Sequence, residues 1–220
     1  MKIGRVFTGI GLLLIAAALC LTVFNFVEDS KAGKSADAAL AAVLPQIEKE
    51  STPVEGKVIN TIYESEDPSE LPIEEVEYPN YVLNPEIEMP YVTVDGRDYI
   101  GMLYIVPMEK QFAVISEWSY ENLDVAPCRY SGSVYLDNMV ICAHNYSLHF
   151  GPLRNLKIGD QVRFTDMDGN QFRYTVSEIE TLQPSMSEEM MTGDWDLTLF
   201  TCTVGGQTRL ALRCEREDKT

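Results

Sequence analysis

Gln161-Val162-Arg163-Phe164-Thr165-Asp166-Met167-Asp168-Gly169-Asn170-Gln171-Phe172-Arg173-Tyr174-Thr175-Val176 is the stretch on which the fold class turns. On both sides of Asp168-Gly169, apolar and polar residues alternate with the period of a half-buried strand. Asp-Gly between two such runs is a tight hairpin turn, because glycine and aspartate tolerate the positive φ that the turn demands. The same grammar continues outward. Upstream, Tyr91-Val92-Thr93-Val94 runs into Asp95-Gly96, Tyr99 to Val106 is strand-like and stopped by Pro107, and Phe112 to Ile115 is a short strand. Ser133 to Leu136 and Met139 to Ala143 flank the turn pair Asp137-Asn138, and Leu153 to Leu156 reads as one helical turn. Downstream, Asp196 to Thr201 is a strand, Gly205-Gly206 turns the chain, and Thr208 to Cys214 returns. About eight short strands with little helix predict an all-β body over 84–217, a closed or nearly closed β-barrel. Closure also removes the exposed strand edges that invite aggregation.

The N-terminus follows other rules. Val6 to Val27 carries no charge, and as a helix of about 33 Å it matches a bilayer core of about 30 Å. A cleaved signal peptide has a shorter apolar core, and here the run continues beyond Ala16-Ala17-Ala18. An uncleaved anchor is therefore expected. Lys2 and Arg5 precede the run and Glu28 and Asp29 follow it, so the positive-inside rule puts the tip in the cytoplasm and the body outside the cell. Residues 1–27 thus form a cytoplasmic tip and transmembrane anchor. Residues 28–83 carry a net −9 and read as an acidic extracellular linker. Within it Ser35 to Glu50 suggests a short helix capped by Ser35 and ended or kinked by Pro45, and Ser51 to Asn80 is rich in Ser, Thr, Pro and Glu.

The whole chain carries 17 Lys+Arg against 34 Asp+Glu, a formal charge of −17. Such a surface repels phosphate backbones and argues against nucleic-acid binding. With only two histidines, His144 and His149, a multi-histidine metal site is disfavoured. Five cysteines in 220 residues do not make a disulfide scaffold. Cys20 falls in the apolar span as a filler. Cys128, Cys142 and Cys214 are expected as buried thiols, although a bridge between Cys142 and Cys214 is conceivable.

Two residues sit where chemistry is possible. Cys202 directly follows a strand and precedes a glycine turn, and His144 directly follows the strand ending at Ala143. A thiol with an imidazole to hold or move its proton makes covalent acyl chemistry feasible. A cation is then needed where charge develops on a carbonyl oxygen, and Arg209, on the strand returning past Cys202, can supply it. Arg213 is a second candidate, four residues on and facing the same side of a strand. Taken singly these signals are ordinary: cysteines fill cores, and histidines and arginines serve as structural polar groups. Asn145 can orient His144, bind substrate or simply form a turn. Thr201 and Thr203 flank the cysteine, where a hydroxyl or N–H can assist substrate binding. His149 lacks the strand-end context and reads as a loop residue.

Thr198-Leu199-Phe200-Thr201-Cys202 resembles the TLxTC signature of the sortases, membrane-anchored cysteine transpeptidases of Gram-positive bacteria. Ile100 to Pro107 is similar to the family's early G-x-L-x-I-P strand, with Val106 inserted before the proline. Val140-Ile141-Cys142-Ala143-His144-Asn145 resembles its V-I-x-G/A-H-N segment. Phe150 to Leu153, Leu156 to Asp160, Tyr174 to Val176 and Arg209 to Leu212 match further family motifs in the same order. The resemblance implies an eight-stranded sortase-type β-barrel with short helices. It implies that Cys202 attacks the Thr–Gly carbonyl of an LPxTG-like sorting signal to form a thioacyl enzyme. His144 would act as general acid and base, and Arg209 would bind substrate and stabilise the oxyanion. A peptidoglycan cross-bridge amine or a pilin lysine would resolve the thioester, with no organic cofactor and no metal. The partners implied are the sorting-signal peptide of a secreted surface protein, the amine acceptor and the membrane.

The departures matter as well. The sequence shows no aspartate-proline-aromatic lid of the pilin-building type and no C-terminal hydrophobic span. Ser177 to Asp194 is too short for a long helix, but can hold one turn around Ser187 to Met191, whose methionines would wall a substrate groove. These features favour surface-protein anchoring to the cell wall and leave the sortase class open. Scattered acids such as Glu188-Glu189 read as solvated charge rather than a calcium site. Two alternatives stand beside the transpeptidase: a cysteine peptidase, hence a hydrolase of surface or wall peptides, and a non-catalytic membrane-tethered β-domain.

Overall fold

The computed structural model describes residues 2–50 and 79–217. Asp95 and Gly96 both have positive φ, 49° and 74°, the backbone a two-residue hairpin turn requires. They join β1 (Val92–Val94) to β2 (Arg97–Ile105). The remaining strands are β3 (Lys110–Ile115), β4 (Cys128–Ser131), β5 (Met139–Cys142), β6 (Gln161–Asp166), β7 (Gln171–Leu182), β8 (Leu197–Cys202) and β9 (Arg209–Arg216). Their order is β1-β2-β3-β4-β5-β8-β9-β7-β6, and β6 pairs back onto β2. β2 to β9 therefore form an eight-stranded closed β-barrel, with β1 a short extra strand beside β2. Most pairs are antiparallel; β3–β4 and β5–β8 are parallel.

The decisive hairpin folds as its pattern requires. Val162, Phe164, Phe172, Tyr174 and Val176 are fully buried, whereas Gln161, Arg163, Gln171 and Arg173 lie outside. With Leu103, Ile105, Phe112, Ile141, Leu199 and Leu212 they fill the barrel. Each large apolar side chain removed from water contributes about 1.5–3 kcal/mol. Where β2 passes β6, Gly101 has φ 152°, and a Cβ there would lie 2.2 Å from the Thr165 carbonyl oxygen, so only glycine allows the strands to close.

Two local expectations change. Ser133 to Leu136 is not a strand: Ser133 Oγ accepts the Tyr135 N–H at 3.2 Å, and Val134–Leu136 forms a 3-10 turn. Tyr135 then points inward and donates its hydroxyl to Asp166 at 2.7 Å. The strand lies just upstream, as β4.

The larger change is at the N-terminus. A single helix, α1, runs Lys2–Glu50. Its first half is apolar and exposed all round, with Phe7, Leu12, Leu13 and Phe26 each above 60 %, and it is long and apolar enough to cross a membrane. Its second half is not a separate spacer. Ala32, Ala36, Ala39, Val43 and Ile47 recur every three or four residues and are buried. Ala39, Val43 and Ile47 pack with Tyr99, Ala113 and Ile115 on the outside of β2 and β3. This docking outweighs the roughly 3 kcal/mol cost of a proline inside a helix, so the helix continues past Pro45 and Ser35 is no cap. The remainder of the expected linker, 51–78, lies outside the described residues. Short helices α2 (Asn80–Leu83), α3 (Tyr120–Leu123) and α4 (Ser187–Met191) complete the fold.

Candidate active site

The site is built where β5, β8 and β9 end together. β5 and β8 run parallel with Cys142 opposite Phe200. The pairing continues past β5: the Ala143 N–H donates to the Phe200 carbonyl at 3.3 Å, and the Thr201 hydroxyl donates to the Ala143 carbonyl at 2.8 Å. One residue further, Asn145 Nδ2 donates to the Thr203 carbonyl at 3.1 Å. Ala143 is thus tied to Thr201 and Asn145 to Thr203, which sets His144 level with Cys202 on strands about 4.8 Å apart. On the other side, β8 and β9 are antiparallel and Cys202 is the direct partner of Arg209. Side chains at paired positions share a face, so sulfur, imidazole and guanidinium leave three adjacent backbones at one end of the barrel.

The β8–β9 loop is closed by Thr203 and Thr208. The Thr203 N–H donates to the Thr208 carbonyl at 3.0 Å, their hydroxyls meet at 2.8 Å, and Gly205 and Gly206 take positive φ between them. Arg209 turns its guanidinium onto this loop, donating to the carbonyls of Gly206 and Thr208 at 3.3 and 3.2 Å. Both bonds are long and near the surface, so the side chain is held close by yet releasable.

His144 has a partner the sequence did not disclose. Its Nε2 lies 3.2 Å from Asp124 Oδ1, just after α3. The His144 ring also packs on Tyr146, centroids 4.9 Å apart. Asp124 sits in an unremarkable Asn-Leu-Asp turn, and only the fold carries it to the histidine.

The other candidates are placed differently. Thr201 is buried, with its hydroxyl committed to Ala143. Arg213 faces the same side as Arg209 but is only 3 % exposed. Its guanidinium donates to Glu180 at 2.5 Å, Thr198 Oγ1 at 3.0 Å and the carbonyls of Met190 and Glu189 at 2.9 and 2.8 Å. With these donors engaged, it braces β9 to β7 and α4 rather than facing a substrate. α4 forms at the expected turn, and Met190 packs with Val140, Leu182 and Ala211, next to Phe200 and Met186. An apolar wall therefore stands on the outer face that also carries Cys202, while Met191 is exposed.

All described cysteines are free thiols. Burial pushes Cys128 and Cys214 up to about 12 and raises Cys142 as well. The conceivable Cys142–Cys214 bridge does not form. Cys214 points into the barrel, whereas Cys142 belongs to the outer cluster with Tyr99 and Ala113, opposite Cys128 across β4 and β5. Cys202 is the partly exposed thiol of the body. His149 lies in a turn, as expected, and is fully buried there. Among the described residues no three His, Cys, Asp or Glu side chains converge on a metal-holding arrangement.

Residues 103–217 match the sortase-domain family model. No curated protein matches the chain. Similar solved structures include sortase A from Corynebacterium diphtheriae, with 21 % identity, TM-score 0.50, and coverage of 56 % of this chain and 63 % of that one. Sortase C1 of GBS Pilus Island 1 has 22 % identity and TM-score 0.49 over 56 % and 66 % of the two chains. Sortase C from Clostridium perfringens has 25 % identity and TM-score 0.48 over 56 % and 71 %. The chain spans just under two thirds of the length of the first two. The likeness to the Corynebacterium diphtheriae sortase A speaks for the fold alone, and the family model covers more than half of the sequence: the chain belongs to the sortase family.

Proposed function

We propose that this protein is a cysteine transpeptidase anchored by α1 as a single pass, N-terminus in the cytoplasm and barrel outside. The reading is carried by the strand register that sets His144 beside Cys202 and pairs Cys202 with Arg209. The Cys202 thiolate attacks the Thr–Gly carbonyl of an LPxTG-like sorting signal. Arg209 leaves its loop carbonyls and faces the oxyanion, a positive charge beside the bond that changes. His144 gives its proton to the departing glycine amine as the C–N bond breaks, leaving a thioester on Cys202. An incoming amine, from a wall cross-bridge or a pilin lysine, loses a proton to His144 and displaces the sulfur. Asp124 supports the charged imidazole before the first half-reaction and after the second; in the thioester between them His144 is neutral and ready to take the proton of the incoming amine. The apolar wall of Met186, Met190 and Phe200 suits the leucine and proline of such a signal.

The test is incubation of full-length protein in detergent micelles with a library of LPxTG-type peptides, with and without oligoglycine, read by intact mass. An acyl adduct that Cys202→Ala abolishes, and that oligoglycine converts to a ligated product, supports the reading. An adduct yielding only acid makes the protein a hydrolase, and no adduct refutes catalysis on these peptides.

A further inference from the structure

α1 does more than dock its apolar stripe. At Asp29–Gly33 it meets the loop that follows β5 and carries His144 near its start. The Asp29 carboxylate accepts two bonds from Ser147, the N–H at 2.6 Å and the hydroxyl. One turn on, the Ala32 carbonyl accepts the Nε2–H of His149 at 3.0 Å. Burial holds the His149 imidazole below its ordinary pKa and so neutral. At Gly33 helix and loop touch so closely that a Cβ would lie 2.3 Å from Leu148 Cδ1 and 2.8 Å from Leu148 Cβ.

The loop transmits these contacts to His144 by two routes. Along the backbone, the Phe150 N–H closes onto the His144 carbonyl at 3.1 Å, and His149 N–H and Gly151 N–H close onto the Tyr146 carbonyl at 3.1 and 2.9 Å. Through the side chains, the Tyr146 ring lies between His149 and His144, 5.8 and 4.9 Å from their centroids. A tether needs only to span the bilayer, and a docked helix needs only its apolar stripe. Neither requires a carboxylate on Ser147 or a glycine against Leu148.

We propose that Asp29, with Ala32 and Gly33, positions His144: the anchor helix clamps Ser147, Leu148 and His149 and thereby fixes the loop that closes on the His144 carbonyl and ring. The proposal rests on the acyl-transfer reading only for its effect on turnover. Asp29 is a positioning residue and touches no substrate.

The experiment uses full-length protein in detergent micelles, with histidine labelled at Cε1. Only two histidines are present, so each variant gives two assignable imidazole signals. Four variants are compared: Asp29→Ala, Asp29→Asn, Gly33→Val and Val43→Ala. Asp29→Ala and Gly33→Val should move the His144 signal and its titration midpoint. Asp29→Asn keeps an oxygen for the Ser147 N–H and should restore both. Val43→Ala thins the docking stripe without touching the loop, and should lower thermal stability while leaving the His144 signal in place. In acyl transfer, Asp29→Ala should cut kcat about ten- to a hundredfold with KM unchanged, the size expected for a displaced catalytic group. A His144 signal and midpoint identical to wild type in Asp29→Ala and Gly33→Val, or moved equally by Val43→Ala, overturns the clamp. Absence of acyl transfer by wild type overturns the functional reading instead, and the imidazole signals still decide the clamp.

Discussion

Arg209 and Arg213 share a strand and a face, so exchanging their roles is the sharpest test of the site. Arg213→Met keeps the aliphatic stem and removes the guanidinium. The loss strips donors from Glu180, Thr198 and the carbonyls of Met190 and Glu189. Breaking a buried charged network from one side costs about 3–5 kcal/mol. The Glu180 side chain is 30 % exposed and can be rehydrated, which places the expected loss at the lower end, about 3 kcal/mol. For a body of this size that is a fall in Tm of about 6–12 °C. Turnover should fall only as far as α4 loosens. Arg209→Ala removes two long bonds to its own loop, so stability should stay within about 0.5 kcal/mol, while kcat falls about 10²–10³-fold. Thermal unfolding of the full-length protein in micelles, beside single-turnover acylation, reads both quantities. An Arg213→Met protein with wild-type Tm and no turnover would refute the assignment of brace and cation.

Cys202→Ala should lose all acyl adduct with stability changed by less than about 0.5 kcal/mol, because the thiol is partly exposed at a strand end; unfolding of the variant would mark a core cysteine. Iodoacetamide at pH 8 should label Cys202 and spare Cys128, Cys142 and Cys214, whose burial disfavours their thiolates; peptide mapping that finds those three modified in folded protein contradicts the packing. His149 is held neutral by burial, its folded pKa below the ordinary 6.5. The unfolded chain therefore binds more protons in the window between the two values, and stability is full above about pH 6.5 and falls as the pH drops toward the folded pKa. Urea midpoints at pH 7.5 and 5 should show this loss, reduced in His149→Gln; equal pH dependence in the variant would assign it to other groups.

The hairpin at Asp168-Gly169, the turn at Asp95-Gly96 and the α4 turn were legible because they are local: pattern and turn chemistry act within about ten residues. The barrel's closure by β6 on β2 was legible only as a need to bury edges, since that pairing joins residues 101–105 to 162–166. Cys202, His144 and Arg209 stood out by their place at strand ends. Asp124 did not, because nothing near it in sequence signals a partner 20 positions away. Alternation puts Arg213 on the same face as Arg209; the resemblance favoured Arg209, and the packing of Glu180 and α4 over Arg213 gives the physical difference between them. The reach of α1 was hidden because the charges from Glu28 to Lys34 interrupt the apolar run, while the buried stripe beyond it is mostly alanine.

One continuous helix carries both the lipid-facing run and the docking stripe. Val27 closes the apolar stretch and Asp29 already holds Ser147, only about 3 Å further along the axis. With the apolar run embedded in a bilayer, the end of the barrel that carries Cys202, His144 and Arg209 would rest at headgroup height, held by a rigid helix rather than by a loose stalk. A substrate of the proposed transpeptidase would then meet the site along the membrane surface.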